Sequence, residues 1–121
     1  MFIVNVEGAI RKAGQWLIIK RGKLEEHAGG LLSLVGGKVE QVGHALHILE
    51  ETLKREIFEE VGVDVEVMTY VHSTSFVTDQ GQQVVNVVFL CQHLSGEAFP
   101  KSPQEVERVL WLTTEEILHH P

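Results

Sequence analysis

Cysteine is almost missing from this chain: Cys91 is the single one in 121 residues. One cysteine excludes an internal disulfide framework. Cys91 lies in the apolar run Val87-Val88-Phe89-Leu90-Cys91, where a thiol reads as inert core, and a reducing cytoplasm is the expected compartment. Long apolar runs are absent too. None approaches the roughly 20 residues that a membrane-spanning helix needs. The start, Met1-Phe2-Ile3-Val4-Asn5-Val6-Glu7, has no basic flank and meets a charge early, so it does not read as a signal peptide. Basic residues are scarce, with 10 Lys and Arg against 17 Asp and Glu and a net charge of −7. That balance excludes a general nucleic-acid binder, which wants a basic face, and argues against docking on an anionic membrane. It leaves room for phosphate esters where a divalent cation supplies positive charge. Aromatics are few at 7%. Tyr70, Phe76 and Phe89 are the candidates for stacking on a base, although strand aromatics more often serve the core.

What is present reads as one α/β domain spanning residues 1–121. Residues 2–10 and Trp16–Arg21 are Ile- and Val-rich and form a hairpin around Lys12-Ala13-Gly14-Gln15. Residues 22–31 carry three glycines and mixed charges and read as a loop, and short strand-like pieces flank Gly36-Gly37. From His44 to Val61 the pattern turns helical. Leu46, Leu49, Leu53, Ile57 and Val61 recur every three or four residues, and Gly62 stops the run. Residues 63–78 and 82–93 form a long hairpin joined by Thr78-Asp79-Gln80-Gly81. A loop with Pro100 and Pro103 leads to a short strand around Val109–Leu112. Thr113-Thr114-Glu115-Glu116 is a capping box that opens a helix through Leu118.

The chemistry concentrates in Arg55-Glu56-Ile57-Phe58-Glu59-Glu60-Val61-Gly62-Val63. Glu56 and Glu60 stand four apart on a helix, with Glu59 beside Glu60, so three carboxylates share one flank. On the same wheel Glu60 falls inside the apolar stripe, between Leu49 and Leu53. A carboxylate there costs free energy unless a cation or hydrogen-bond donors meet it, and like charges nearby raise the pKa values of the group. A hard divalent cation resolves the tension, because Mg²⁺ takes oxygen ligands from a few carboxylates, water and substrate phosphate. An acidic helix face is usually only solvated. The flanking Arg55, the terminating Gly62-Val63 and the upstream glycine pair favour a metal site instead.

With Leu34-Val35-Gly36-Gly37-Lys38-Val39-Glu40 upstream, these residues resemble the Nudix box, G-x5-E-x7-R-E-U-x-E-E-x-G-U with U a bulky aliphatic residue. The second half matches at every position, an accident expected on the order of once in 10⁵ sequences or less. The order of hairpin, glycine loop, helix, long hairpin and late Trp111 is also similar to that of the Nudix (MutT-like) hydrolase family. The resemblance implies an α/β/α sandwich around a central mixed sheet. It implies hydrolysis of the pyrophosphate link in a nucleoside diphosphate joined to some group X, with Mg²⁺ or Mn²⁺. The implied partner is a small nucleotide derivative, with no nucleic-acid polymer and no membrane. Glu59 and Glu60 would be the principal metal ligands, and Glu56 a ligand or the base that activates water. Gly36 would lend its carbonyl, and Arg55 would hold the glutamates by charge-assisted hydrogen bonds. Glu105 is expected as a further ligand or base from a late loop, with Glu107 the second choice.

The first half of the box departs from the pattern. Eight positions before Arg55 stands His47 where the family has glutamate, and the distance from Gly37 to Arg55 is four residues longer than the pattern, with Gln41-Val42-Gly43-His44 as the apparent insertion. Glu51 could replace the missing partner of Arg55, and Glu40 could approach the metal. These departures support an alternative, a catalytically impaired nucleotide-binding or regulatory domain. The subfamily marks sought after Gly62, a proline or tyrosine near positions 77–80, are replaced by Val77-Thr78-Asp79-Gln80. That weakens the ADP-ribose and dinucleoside polyphosphate readings. The helix that commonly closes family domains is not seen before Pro121, so either that segment is missing from this chain or a partner subunit covers the sheet face, and a homodimer is the expectation.

Overall fold

The computed structural model describes residues 1–23, 29–40 and 44–120. Nine elements follow one another: β1 (Phe2–Lys12), β2 (Gln15–Arg21), β3 (Leu32–Ser33), β4 (Val35–Lys38), α1 (Ile48–Val61), β5 (Asp64–Val77), β6 (Gln83–Ser95), β7 (Val106–Leu112) and α2 (Thr114–Leu118). The strands form one mixed sheet along the path β3-β2-β1-β6-β5, with β4 paired to β1 and β7 to β2. The β1–β6 pair is parallel and runs in unbroken register from Phe2↔Gln83 to Arg11↔Gln92. The other pairs are antiparallel. This is the mixed-sheet α/β architecture expected from the sequence.

The first hairpin turns on Ala13 (φ 49°) and Gly14 (φ 77°). Two successive left-handed residues match the twist of the strands they join. Along β1, side chains alternate. Val6 and Ile10 are fully buried, and Gly8 lies against Ile57 and Cys91, while Ile3, Asn5 and Glu7 line a cleft.

Helix α1 buries Leu53, Ile57 and Val61, each four residues after the last, into a core completed by Val6, Ile10, Leu17, Ile19, Val35, Val63 and Val106. It starts at Ile48, four residues later than the periodicity predicts. Leu46 is 85% exposed and lies outside the helix, so it buries nothing that would hold an earlier turn. His47 takes a left-handed conformation (φ 54°) and makes no side-chain cap. At the other end Gly62 (φ 75°) caps as predicted, its N–H donating to the Phe58 carbonyl.

The capping box of α2 is also as predicted. Thr113 Oγ1 accepts from the Glu116 N–H at 3.1 Å, and the Thr113 N–H donates to Glu116 Oε1 at 2.8 Å. Strand β7 begins at Val106, three residues earlier than predicted, because β2 supplies partners along its length, from Arg21↔Val106 to Trp16↔Leu112. Gly36-Gly37 lies inside β4, not in a loop between strands, and pairs with Glu7 and Val6 of β1. The loop expected at residues 22–31 and the insertion at 41–44 fall largely outside the described residues. Among the described residues no helix is long and apolar enough to cross a membrane.

Candidate active site

Two glycines decide how the site is assembled. A Cβ on Gly36 would fall on the Val6 carbonyl oxygen, and one on Gly37 would sit 2.5 Å from the Glu56 Cδ. Only glycine lets β4 close on β1 and at the same time lets the Glu56 carboxyl rest against the strand. The loop after β6 supplies the opposite wall by capping the end of α1. The Phe99 N–H donates to the Val61 carbonyl at 3.0 Å, and the Lys101 N–H to the Glu60 carbonyl at 3.0 Å. These bonds satisfy carbonyls that a helix end leaves open. The same loop is tied to the end of β2, where the Gly22 N–H donates to the Glu105 carbonyl at 2.9 Å. A Cβ on Gly22 would collide with the Gln104 backbone. Glu105 is thereby delivered to the cleft that Glu56, Glu60, Gly36 and Gly37 line.

The cleft holds about 670 Å³, ample for a nucleotide. Its acid end is electrostatically strained. Glu60 is only 4% exposed, and burial, then the charges of Glu105 and Glu56, push its carboxyl up to about 9 against a partial offset from Arg21. Glu56 is raised as well, by burial first and then by Glu59, with Arg55 opposing. The two carboxyls share a hydrogen bond that raises Glu60 and lowers Glu56. Burial therefore favours the protonated form of Glu60.

Glu56, Glu60, Gly36 and Glu105, all anticipated from the sequence, come together in the cleft, and so does Glu40. Glu59 does not join them. It is exposed on the outer flank of α1 beside Lys101 and Ser102. Arg55 approaches Glu56 at 3.6 Å and Glu59 at 3.9 Å. Those are ion-pair distances, longer than the hydrogen bonds expected of it. Glu51 pairs with Lys54 at 3.8 Å. Glu107 turns away from the acid end to Lys20, 2.9 Å distant. Of the three stacking candidates, Phe76 lines the cleft, Phe89 is core, and Tyr70 is exposed, edge-on to Phe89. Cys91 is buried, its thiol pushed up to about 12 by desolvation, as an inert core residue should be.

Arg21, Asn5, Glu7 and Asn86 also line the cleft and were not anticipated as site residues. Strand alternation placed Asn5 and Glu7 on one face of β1. Their meeting with Asn86 depends on strand pairing.

Among the described residues, no three His, Cys, Asp or Glu side chains converge closely enough to hold a metal ion. The donor set nevertheless suits a hard cation. A pair of neighbouring carboxyls, with a third carboxylate and glycine backbone lining the same cleft, fits an ion that keeps several waters and takes substrate phosphate.

The α/β fold thus sets a strained carboxylate pair at one end of an open cleft. The sequence profile of the NUDIX domain matches residues 2–121. Among solved structures, a MutT NUDIX hydrolase from Burkholderia pseudomallei is similar at 29% identity and TM-score 0.80, covering 95% of this chain and 85% of that one. The MutT protein from Methanosarcina mazei Go1 is similar at 24% identity and TM-score 0.83, covering 99% and 83%. The E. coli ORF135 protein is similar at 26% identity and TM-score 0.77, covering 99% and 79%. No curated protein matches the chain. The chain belongs to the Nudix family, and its enzyme class is that of the Nudix pyrophosphohydrolases.

Proposed function

We propose that the protein hydrolyses the pyrophosphate linkage of a nucleoside diphosphate joined to a further group, using Mg²⁺ or Mn²⁺. The observation that carries this is the buried Glu60 carboxyl beside Glu56 and Glu105 at the end of a nucleotide-sized cleft. Glu56 and Glu60 would hold the cation, with the Gly36 carbonyl as a further ligand. Glu59 is exposed and held by a long ion pair, so a change of rotamer would add it to the set. When bound, the cation would neutralise diphosphate charge and orient the linkage for attack by water. Glu105, on its tethered loop, would accept the proton of the attacking water, with Glu56 as the other base within the cluster. Arg55 keeps the charge of Glu56 and Glu59 balanced, and Arg21 adds positive charge beside Glu60.

The experiment is a panel of nucleoside triphosphates, sugar nucleotides, ADP-ribose and dinucleoside polyphosphates, with and without Mg²⁺ or Mn²⁺, read as phosphate and pyrophosphate release. Cation-dependent release is expected, falling by about 10²-fold or more in Glu56→Gln and Glu105→Gln. A second reading, a nucleotide-binding domain without turnover, is favoured by the outward position of Glu59. A melting temperature raised by cation and nucleotide, with no product from any compound, would select it.

A further inference from the structure

Leading from the acid end, the floor of the cleft carries a polar chain with a fixed direction. Asn5 Nδ2 donates to Asn86 Oδ1 at 2.7 Å, and Asn86 Nδ2 donates to Glu7 Oε1 at 2.7 Å. An ionised carboxylate only accepts, so Glu7 determines which way the Asn86 amide faces, and Asn86 in turn determines Asn5. Strand register places the chain. Glu7 is paired with Gly36 of β4, and Asn5 is directly across from Asn86. Two residues further along, about 7 Å, comes an apolar rung in which Ile3, Val84 and Phe76 are direct partners across three strands. The floor thus runs from the acid end, through a hydrogen-bonding rung, to a flat apolar one.

We infer that the Glu7–Asn86–Asn5 chain reads the edge of the substrate's nucleobase and selects bases carrying an amino group over their oxo counterparts. This rests on the nucleotide reading of the same cleft. A planar base offers both an apolar face for Phe76 and Val84 and a polar edge for the chain, whereas a ribose offers no flat apolar face. Among the described residues, Glu7 accepts only from Asn86, through Oε1, which leaves its second oxygen for a ligand donor. An amino group supplies one. The oxo counterpart in the same pose sets a carbonyl oxygen against a carboxylate, a contact by which hydrogen-bonding sites reject analogues.

The test compares adenosine with inosine and cytidine with uridine in two ways. Binding of the α,β-methylene diphosphates is measured by calorimetry, and kcat/KM is measured on the triphosphates. The amino member of at least one pair is expected to be preferred by about tenfold or more in both assays. In Glu7→Gln the preference should vanish or reverse, because glutamine can turn its amide N–H toward a carbonyl. Asn5→Ala removes the far end of the chain without changing charge and should weaken the same preference, which covers the case of a Glu7 variant that folds poorly. Equal binding of both members would overturn the inference. So would a preference that survives in Glu7→Gln, or a ribose-over-deoxyribose selection that Glu7→Gln abolishes while the base makes no difference. Amino-selective binding without any hydrolysis would leave this inference standing and sink the hydrolase.

Discussion

At the scale of the residue, Glu60 determines how the metal-free protein responds to pH. Its folded carboxyl titrates at about 9 against an ordinary value of 4.5. Between those values the folded chain holds a proton that the unfolded chain has released, so the stability of the metal-free protein falls as pH rises through this window. A loss of a few kcal/mol across it would lower the Tm by roughly 10 °C. Thermal melting in chelator from pH 5 to 9 checks this, and Glu60→Gln should flatten the slope. The same proton must leave when a cation binds. Titrating Mn²⁺ into the protein at pH 7 in two buffers of different ionisation enthalpy should therefore show proton release, lost in Glu60→Gln. The burial of Glu60 was legible in the sequence because the carboxylate fell between Leu49 and Leu53 on the helical wheel. The outward turn of Glu59 was not foreseen, because the motif groups it with Glu60 as a ligand even though adjacent helix positions differ by about 100°.

At the scale of the element, α1 is defined best at its C-terminus. Gly62 sits at φ 75° against the Phe99 ring. Gly62→Ala imposes a left-handed conformation on a residue with a Cβ and crowds that ring, and should cost about 1–2 kcal/mol in denaturant unfolding. The N-terminal end was over-read from Leu46, whose spacing fits the stripe but whose side chain meets no core. Gly37→Ala tests the strand–helix contact differently. The added methyl would push against Glu56, and that group can move, so activity should fall more than stability. Comparing kcat with urea midpoints separates the two, and an equal loss in both would refute a role in positioning. The glycine pair was recognised from its motif, but its place within β4 follows from pairing with β1, which local sequence does not encode.

At the scale of the whole molecule, the core joins α1 to the sheet through Leu53 and Ile57, both fully buried. Either residue changed to Ala should destabilise by about 2–5 kcal/mol, measured by urea unfolding in chelator so that cation binding does not mask the loss. The homodimer expected from the sequence could use an exposed sheet edge. Strand β5 ends the sheet path, and Met68, Tyr70 and Val71 along it are about half exposed. Sedimentation of the full chain is expected to give the dimer mass, and Met68→Lys should shift it to monomer. A monomer in the parent chain would discard that expectation.

Local pattern, motif and family resemblance determined the class of fold, the two hairpins, the box helix with its glycine stop, the capping box of α2, and several members of the cleft, among them Gly36, Glu56, Glu60 and Glu105. Each depends on a short-range rule, such as the period of a helix, a cap, a turn or a spacing. The tertiary structure decided what those rules do not reach. It brought Glu7, Asn86 and Asn5 into one chain, because β1 and β6 are far apart in sequence and parallel in space. It turned Glu59 and Glu107 outward. It placed Arg21 beside Glu60, where only the folded sheet could put a cation. Contacts between distant segments carry no local signature, since their free energy is realised only once the whole sheet has closed.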